Sequence, residues 1–242
     1  MSEIIDRANL SAETRALNLP LWAHYQTKRG DIFLGARTRQ RFLSRLAQPS
    51  ECVLNIGLGE GYLEELLVRK GCTVSLLDPD SKSVAAVQSR LSLGDRAKVG
   101  SIESLPFASN SFDVVFVSEV VEHLSPALLR GGLIEIRRVL KPGGRLVGTT
   151  PADENLRDNE CKCPSCGLTF HKWGHLQSFS AEGLKAILSE ELTNVSIRRR
   201  FFPNWSELGV LGKIQGLVRM ILTPLGAPTA YPTFAFTAYK HN

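Results

Sequence analysis

The 242-residue chain has little of what marks several protein classes. No apolar run reaches the roughly eighteen residues from which a membrane-spanning helix is built. The opening stretch MSEIIDRANLSAETRALNL carries acidic residues and no apolar core, so a secretory signal is not expected. Aromatic residues make up 7% of the chain, too few for the stacking platforms that usually hold nucleic acid. There is no internal repeat and no low-complexity tract, which argues against a repeat array. Of five cysteines, three (Cys161, Cys163, Cys166) stand too close together for an ordinary disulfide framework. Cys52 and Cys72 lie beside apolar strand-like runs and read as buried thiols, and a reducing cytoplasm suits this usage.

What is present is the make-up of a globular protein, 43% hydrophobic and 22% charged. The net charge of +5 and pI near 9.0 give a mild preference for an anionic partner, whether a phosphate-bearing substrate, a membrane surface or RNA. Residues 11–47 read as helical, and Arg37, Arg41 and Arg45 fall on one helical face. From residue 52 short apolar strands (CVLNIG, CTVSLLD, AKVGSI, FDVVFVS, RLVGTTP) alternate with amphipathic helices. Such alternation predicts a doubly wound α/β fold, a mostly parallel sheet with helices on both faces. The pattern breaks at 152–178 and again at 203–230, read as two insertions in one domain of residues 51–242 behind an N-terminal helical cap, residues 1–50. FAFTAYK at the end alternates like a half-exposed edge strand.

In VLNIGLGEGYLEELL, Gly57, Gly59 and Gly61 lie between a strand and a helix. Glycines there let the backbone turn sharply and approach a ligand with helix N–H groups directed at it. Asp78 ends the following strand, where a carboxylate can accept both hydroxyls of a ribose. Together they favour a nucleoside-containing cofactor.

The ordered blocks VLNIGLGEG, LLDPD, SIESLPFASNSFDVVFVSEVVEHL and LKPGGRLVGTTP resemble the class I S-adenosylmethionine-dependent methyltransferases, most of all the ubiquinone-biosynthesis and type 11 group. The resemblance covers about residues 50–151 plus the final strand pair, and implies a seven-stranded Rossmann-like sheet with S-adenosylmethionine as cofactor. It implies that Gly57, Gly59 and Gly61 pack against the methionine part, that Asp78 binds the ribose hydroxyls and that the backbone of Ile102 faces the adenine. Ser118 would close the pocket at the end of the fourth strand, and a helix containing Tyr25 and Arg29 could cap it. Two positions depart from the family: Asn55 stands where Asp is usual, losing a charge, and Ser101 where Asp often precedes the adenine, with Glu103 nearby.

Glu119, Glu122 and His123 follow the fourth strand at E-x-x-E-H spacing. On one helical turn they could converge on a divalent cation or a substrate hydroxyl; equally, the acids could serve a helix N-terminus. His123 is the candidate general base, because imidazole titrates near neutrality. Further on, CKCPSCGLTFHKWGH offers Cys163, Cys166, His171 and His175, two thiolates and two imidazoles that suit a closed, tetrahedral Zn²⁺ site of structural kind. Cys161 is a spare ligand, and Trp173 between the histidines would cover the site or the acceptor pocket. The clip follows the fifth strand, at the sheet edge where ligands bind, so zinc would stiffen one wall of that pocket. In the second insertion Leu208, Leu211, Leu217, Ile221 and Leu222 could line one helical face, either as core or as an interfacial helix touching a membrane or an apolar acceptor.

The functional expectation is a cytoplasmic methyltransferase acting on a small molecule, glycan or lipid-like acceptor, at oxygen. The alternatives are an RNA methyltransferase, suggested by the zinc-knuckle-like opening and the RRR run at 198–200, and a non-catalytic module that keeps the fold.

Overall fold

Seven strands form one sheet in the order β3-β2-β1-β4-β5-β9-β8 in a computed structural model that describes residues 34–164, 167–205, 208–225 and 232–241. Before the sheet comes α1 (Leu34–Ser44); the alternating series is β1 (Cys52–Ile56), α2 (Tyr62–Arg69), β2 (Thr73–Asp78), α3 (Ser81–Leu91), β3 (Ala97–Val99), β4 (Phe112–Ser118), α4 (Pro126–Val139) and β5 (Leu140–Pro151). A small hairpin follows, β6 (Glu160–Lys162) and β7 (Thr169–His171), then α5 (Ala181–Leu188), β8 (Thr193–Arg200), α6 (Val210–Leu222) and β9 (Thr233–Tyr239). The first five strands of the sheet are parallel, and β9 runs antiparallel to both β5 and β8.

Period-two alternation assigns each strand residue to one of two cores. Val53, Val74, Leu76, Val114 and Phe116 pack with Leu43 of α1, Leu63 and Leu67 of α2, and Val84 and Val87 of α3. Leu54, Ile56, Val115 and Val117 pack on the other face with Leu133 and Ile136 of α4 and Leu184 of α5. Local signals set the helix starts: Asp80 caps α3 by accepting from the Ser83 amide, and Ser125 caps α4 ahead of Pro126.

Two expectations are corrected. FAFTAYK is not an edge strand, because β9 lies between β5 and β8 and most of its residues are buried. The stretch PALLRGGLIEIRRVLKPGG reads in sequence as a helix stopped by Pro142 and Gly143, yet α4 ends at Val139, and Leu140 is already extended and paired with Phe112. Proline disfavours helical geometry at the residue before it, so LKPGG joins the strand with a register shift between Phe112 and Val114. Of the two cysteines read as buried, Cys72 is buried and Cys52 is half-buried.

The strand order reverses between β1 and β4. A crevice outside the carboxyl ends of strands at such a reversal is where open α/β sheets bind ligands. The glycine turn, Asp78, Ser118, the EVVEH segment and the insertion after β5 all stand along that edge.

Candidate active site

Gly57, Gly59 and Gly61 all have left-handed backbones, with φ of 82°, 55° and 76°. Gly57 is required twice over, since a Cβ there would lie 2.6 Å from Cγ2 of Val120. Gly59 is different: nothing lies within 4 Å of a Cβ built on it, so that side of the turn faces open space. The turn is fixed from below by the Gly57 amide, which donates to the Leu77 carbonyl at 2.9 Å.

Asp78 is 3% exposed, and its carboxylate organises the turn as much as it faces a ligand. Oδ2 accepts from the Leu58 amide at 3.0 Å and Oδ1 from the Asp80 amide at 2.8 Å. Each oxygen keeps a further acceptor site for a ribose hydroxyl. Burial pushes the Asp78 pKa up while the two amides oppose that rise. An open cleft of about 540 Å³ beside the turn is lined by Gly59, Glu60, Tyr62, Lys82 and Ser83 among others; Asp78 does not line it. Gly100 donates to the Asp78 carbonyl at 3.1 Å, bringing Ser101 and Ile102 alongside. Ser101 donates to the Glu103 carboxylate, and the buried Ile102 packs against Gly132 of α4.

Asn55 is 2% exposed beneath the turn and donates to Oε1 of Glu64 at 2.7 Å. Glu64 is fully buried in the first turn of α2, and burial lifts its pKa to about 7. Among the described residues, Oδ1 of Asn55 and Oε2 of Glu64 have no hydrogen-bond partner. Sequence reasoning saw the charge missing at Asn55 but not the carboxyl group beside it. The signal was the position of Glu64, the first of two adjacent acids, which falls with Leu63 and Leu67 on the face that α2 buries.

At the end of β4, Ser118 Oγ shares a 2.9 Å hydrogen bond with Thr149 and accepts from Nε of Arg39 at 3.2 Å. Arg39 also stands 3.8 Å from Oε1 of Glu119, so α1 reaches across the site. Tyr25 and Arg29 lie outside the described residues. Arg37 and Arg41 of the basic stripe are engaged over the Tyr62 ring at 5.4 and 5.9 Å.

Glu119, Glu122 and His123 are not on one α-helical turn. Glu119 has φ of 55°, and Val121–His123 is a single 3-10 turn. Glu122 is 1% exposed; Thr150 donates to its Oε2 at 3.0 Å, and burial with the nearby Glu119 charge raises its pKa well above the ordinary value. Burial, then the neighbouring His175, holds the His123 pKa well below the ordinary imidazole value. His123 is therefore held as the neutral imidazole near neutrality, the form from which a base accepts a proton.

Of the expected zinc clip, Cys163, His171 and His175 lie in the described residues, and Cys163 stands apart from the two histidines. His171 ends β7 and pairs with Glu160 at the base of the hairpin, whereas Cys163 stands beyond Lys162 toward its tip, about 10 Å further along at strand rise. The two histidines are not on one helical turn, because Gly174 bends the chain between them with φ of 74°. Their rings stack 4.5 Å apart and share Glu154: Nδ1 of His175 lies 2.5 Å from Oε2, and Nε2 of His171 lies 3.3 Å from Oε1. Burial would raise the Glu154 pKa, but the two imidazoles bring it far below the ordinary carboxylate range. Cys166 lies outside the described residues. Trp173 is half-buried with Lys172 5.2 Å from its ring centre.

Residues 54–148 match the family model described as a methyltransferase domain. This region is a methyltransferase domain of the S-adenosylmethionine-dependent, class I type. Among curated relatives, a malonyl-[acyl-carrier protein] O-methyltransferase of Herminiimonas arsenicoxydans is 36% identical over 127 residues, covering 50% of this chain and 47% of its own. A demethylmenaquinone methyltransferase of Beutenbergia cavernae is 40% identical over 102 residues, covering 42% of this chain and 41% of its own. The chain thus spans about half the length of the curated relatives it matches. The fold is shared with Burkholderia thailandensis 1,6-didemethyltoxoflavin-N1-methyltransferase, solved with bound 1,6-didemethyltoxoflavin and S-adenosylhomocysteine, at a TM-score of 0.66 and 17% identity over 100% of this chain and 93% of that one. A chain from the Haloferax volcanii complex of the Trm112 methyltransferase activator and a methyltransferase gives 0.66 and 17% over 92% and 98%.

Proposed function

We propose that the protein transfers a methyl group from S-adenosylmethionine to an oxygen of a small-molecule or lipid-like acceptor. The observation that carries this reading is the left-handed glycine turn with Asp78 tied to it through the Leu58 amide, within the matched domain. The residues fit the cofactor: Gly59 opens toward space, and the buried Asp78 keeps acceptor sites for ribose. A bound sulfonium is its own electrophile, so holding the acceptor in line with the methyl–sulfur bond provides much of the acceleration. Ser118, Thr149 and Arg39 form the polar wall on the acceptor side. His123, whose Nδ1 lies 3.1 Å from the Gly174 carbonyl, is the candidate base for removing the acceptor's proton.

A lipid-like acceptor is supported by α6. Its core reading fails: Val210, Leu211, Ile214, Leu217, Val218, Ile221 and Leu222 are all exposed, and only Gly216 of the helix is buried, with its Cβ position 3.3 Å from the Trp205 ring. Lys213 and Arg219 flank the apolar face, and residues 208–225 contain no acid. Such a helix suits an anionic membrane surface. No helix of the described residues is long and apolar enough to cross a membrane. RNA is less favoured, because Arg199 of the RRR run pairs with Asp153 and Arg200 sits 5.0 Å from the Phe42 ring.

The test is calorimetry with S-adenosylmethionine on the wild type, followed by a labelled-methyl acceptor screen. Binding in the micromolar range supports the enzyme. No heat at millimolar cofactor favours the non-catalytic module.

A further inference from the structure

The glycine turn rests on two buried polar side chains, one of which can change its charge. Asn55 lies one residue before the end of β1, and its neighbours across the sheet, Leu76 of β2 and Phe116 of β4, are apolar. Nδ2 of Asn55 donates to Oε1 of Glu64 at 2.7 Å and reaches the Gly57 carbonyl at 3.4 Å. One amide group thus joins the turn to the carboxyl group beneath it, which lies within two hydrogen-bond lengths of the first glycine.

Two opposing effects act on Glu64. It stands in the first turn of α2, where the helix N–H groups favour a negative charge. Burial disfavours that charge, since the residue is 0% exposed and Oε2 has no partner among the described residues. Of the charged groups that face it, Asp78 at the end of β2 opposes ionisation and Arg90 of α3 favours it. α1 meets α2 through Leu43, and its Arg37 and Arg41 are held over the Tyr62 ring. The balance leaves a carboxyl group that titrates at about 7, divided between its two forms near neutrality. A group in that state responds to any charge brought onto the turn above it.

S-adenosylmethionine brings such a charge. Its sulfonium, ammonium and carboxylate leave it a net cation, whereas S-adenosylhomocysteine has lost the sulfonium charge and is neutral overall. We propose that Glu64 is a proton-linked counter-ion for the methyl donor, and that it distinguishes the donor from its demethylated product by charge. When the donor binds on the turn, the carboxyl proton leaves to solvent and the carboxylate attracts the cation. After transfer the sulfonium charge is gone, and the buried carboxylate takes a proton back from solvent. A cation near a buried acid lowers its pKa by about one unit or more. Donor affinity therefore rises about tenfold as pH passes upward through about 7, the sign required when the ionised form is the one that binds better. The inference rests on S-adenosylmethionine as the donor and on nothing about the acceptor.

Calorimetry of the full chain with S-adenosylmethionine tests it, run at about pH 6.5 in two buffers of different ionisation enthalpy. The expected result is proton release on binding, with affinity about tenfold higher at about pH 7.5 than at about pH 5.5 and a clearly smaller rise for S-adenosylhomocysteine. Glu64→Gln should abolish both the release and the rise. The donor's own amino group titrates at about 8 with either protein, so the difference between the two proteins isolates Glu64. Proton release that is equal in wild type and Glu64→Gln overturns the proposal, as does an equal rise for donor and product. Those failures leave donor binding intact; a wild type that binds no donor at millimolar concentration removes the methyltransferase reading and this inference together. Should Glu64→Gln not fold, infrared difference spectra of the wild type with ¹³C-labelled glutamate decide. Loss of a protonated-carboxyl band on adding the donor supports the assignment, and an unchanged band overturns it.

Discussion

Glu64 is fully buried, and among the described residues the side chain that donates to it is Asn55. Its pKa rises from the ordinary 4.5 to about 7, so the folded state holds a proton that the unfolded chain gives up. The sign follows: its contribution to stability is fully present below pH 4.5 and is lost as pH rises through about 7. The loss is on the order of 3 kcal/mol, so the urea midpoint should fall between pH 5 and pH 8 by an amount that Glu64→Gln largely removes. Asp78→Ala should weaken S-adenosylmethionine at least tenfold by calorimetry and cost about 2–3 kcal/mol of stability, because two amides lose a charged acceptor. The sequence made Asp78 legible through its place after the second strand. It could not show that a carboxyl group nine residues on pairs with Asn55, because that pairing depends on how α2 lies over β1. Arg39 was missed for a like reason: it stood outside the arginine stripe that spacing picked out.

Elements were the most legible level, since strand and helix periods differ and Asp80, Ser125 and Pro126 announce their helices. The glycine turn permits a comparison within one loop. Gly57→Ala forces a Cβ against Val120 on a left-handed backbone, whereas Gly59→Ala has the same backbone strain and open space. We expect Gly57→Ala to lose about 2–4 kcal/mol in chemical denaturation and Gly59→Ala about 1–2 kcal/mol, with the larger relative loss of Gly59→Ala in cofactor affinity. Equal stability losses would mean that Val120 yields freely. The hairpin of the insertion was not legible. Its cysteines and histidines crowd together in sequence, but β6–β7 pairing separates Cys163 from His171, and Glu154 carries no pattern of its own. The place of FAFTAYK was misread because alternation reports how a strand's faces are covered, not which strands flank it.

Across the whole molecule, the parallel order and its reversal point were readable, while the exposure of α6 was not, because an apolar helical stripe looks the same buried or bare. We expect sedimentation with anionic phospholipid vesicles at low salt and little with neutral ones, since Lys213 and Arg219 contribute through charge that salt screens. Leu211→Asp with Ile214→Asp should reduce vesicle binding at least tenfold while changing stability by no more than about 0.5 kcal/mol, both positions being exposed. Retained vesicle binding in that variant would sink the membrane reading. The interior position of β9 has a consequence for synthesis. β8 meets the sheet only through β9, so residues 193–200 leave the ribosome with no neighbour to pair with until residues 233–239 follow. During that interval the β5 edge is also bare, and a nascent chain stalled there is the form most exposed to chaperones and to mispairing with its copies.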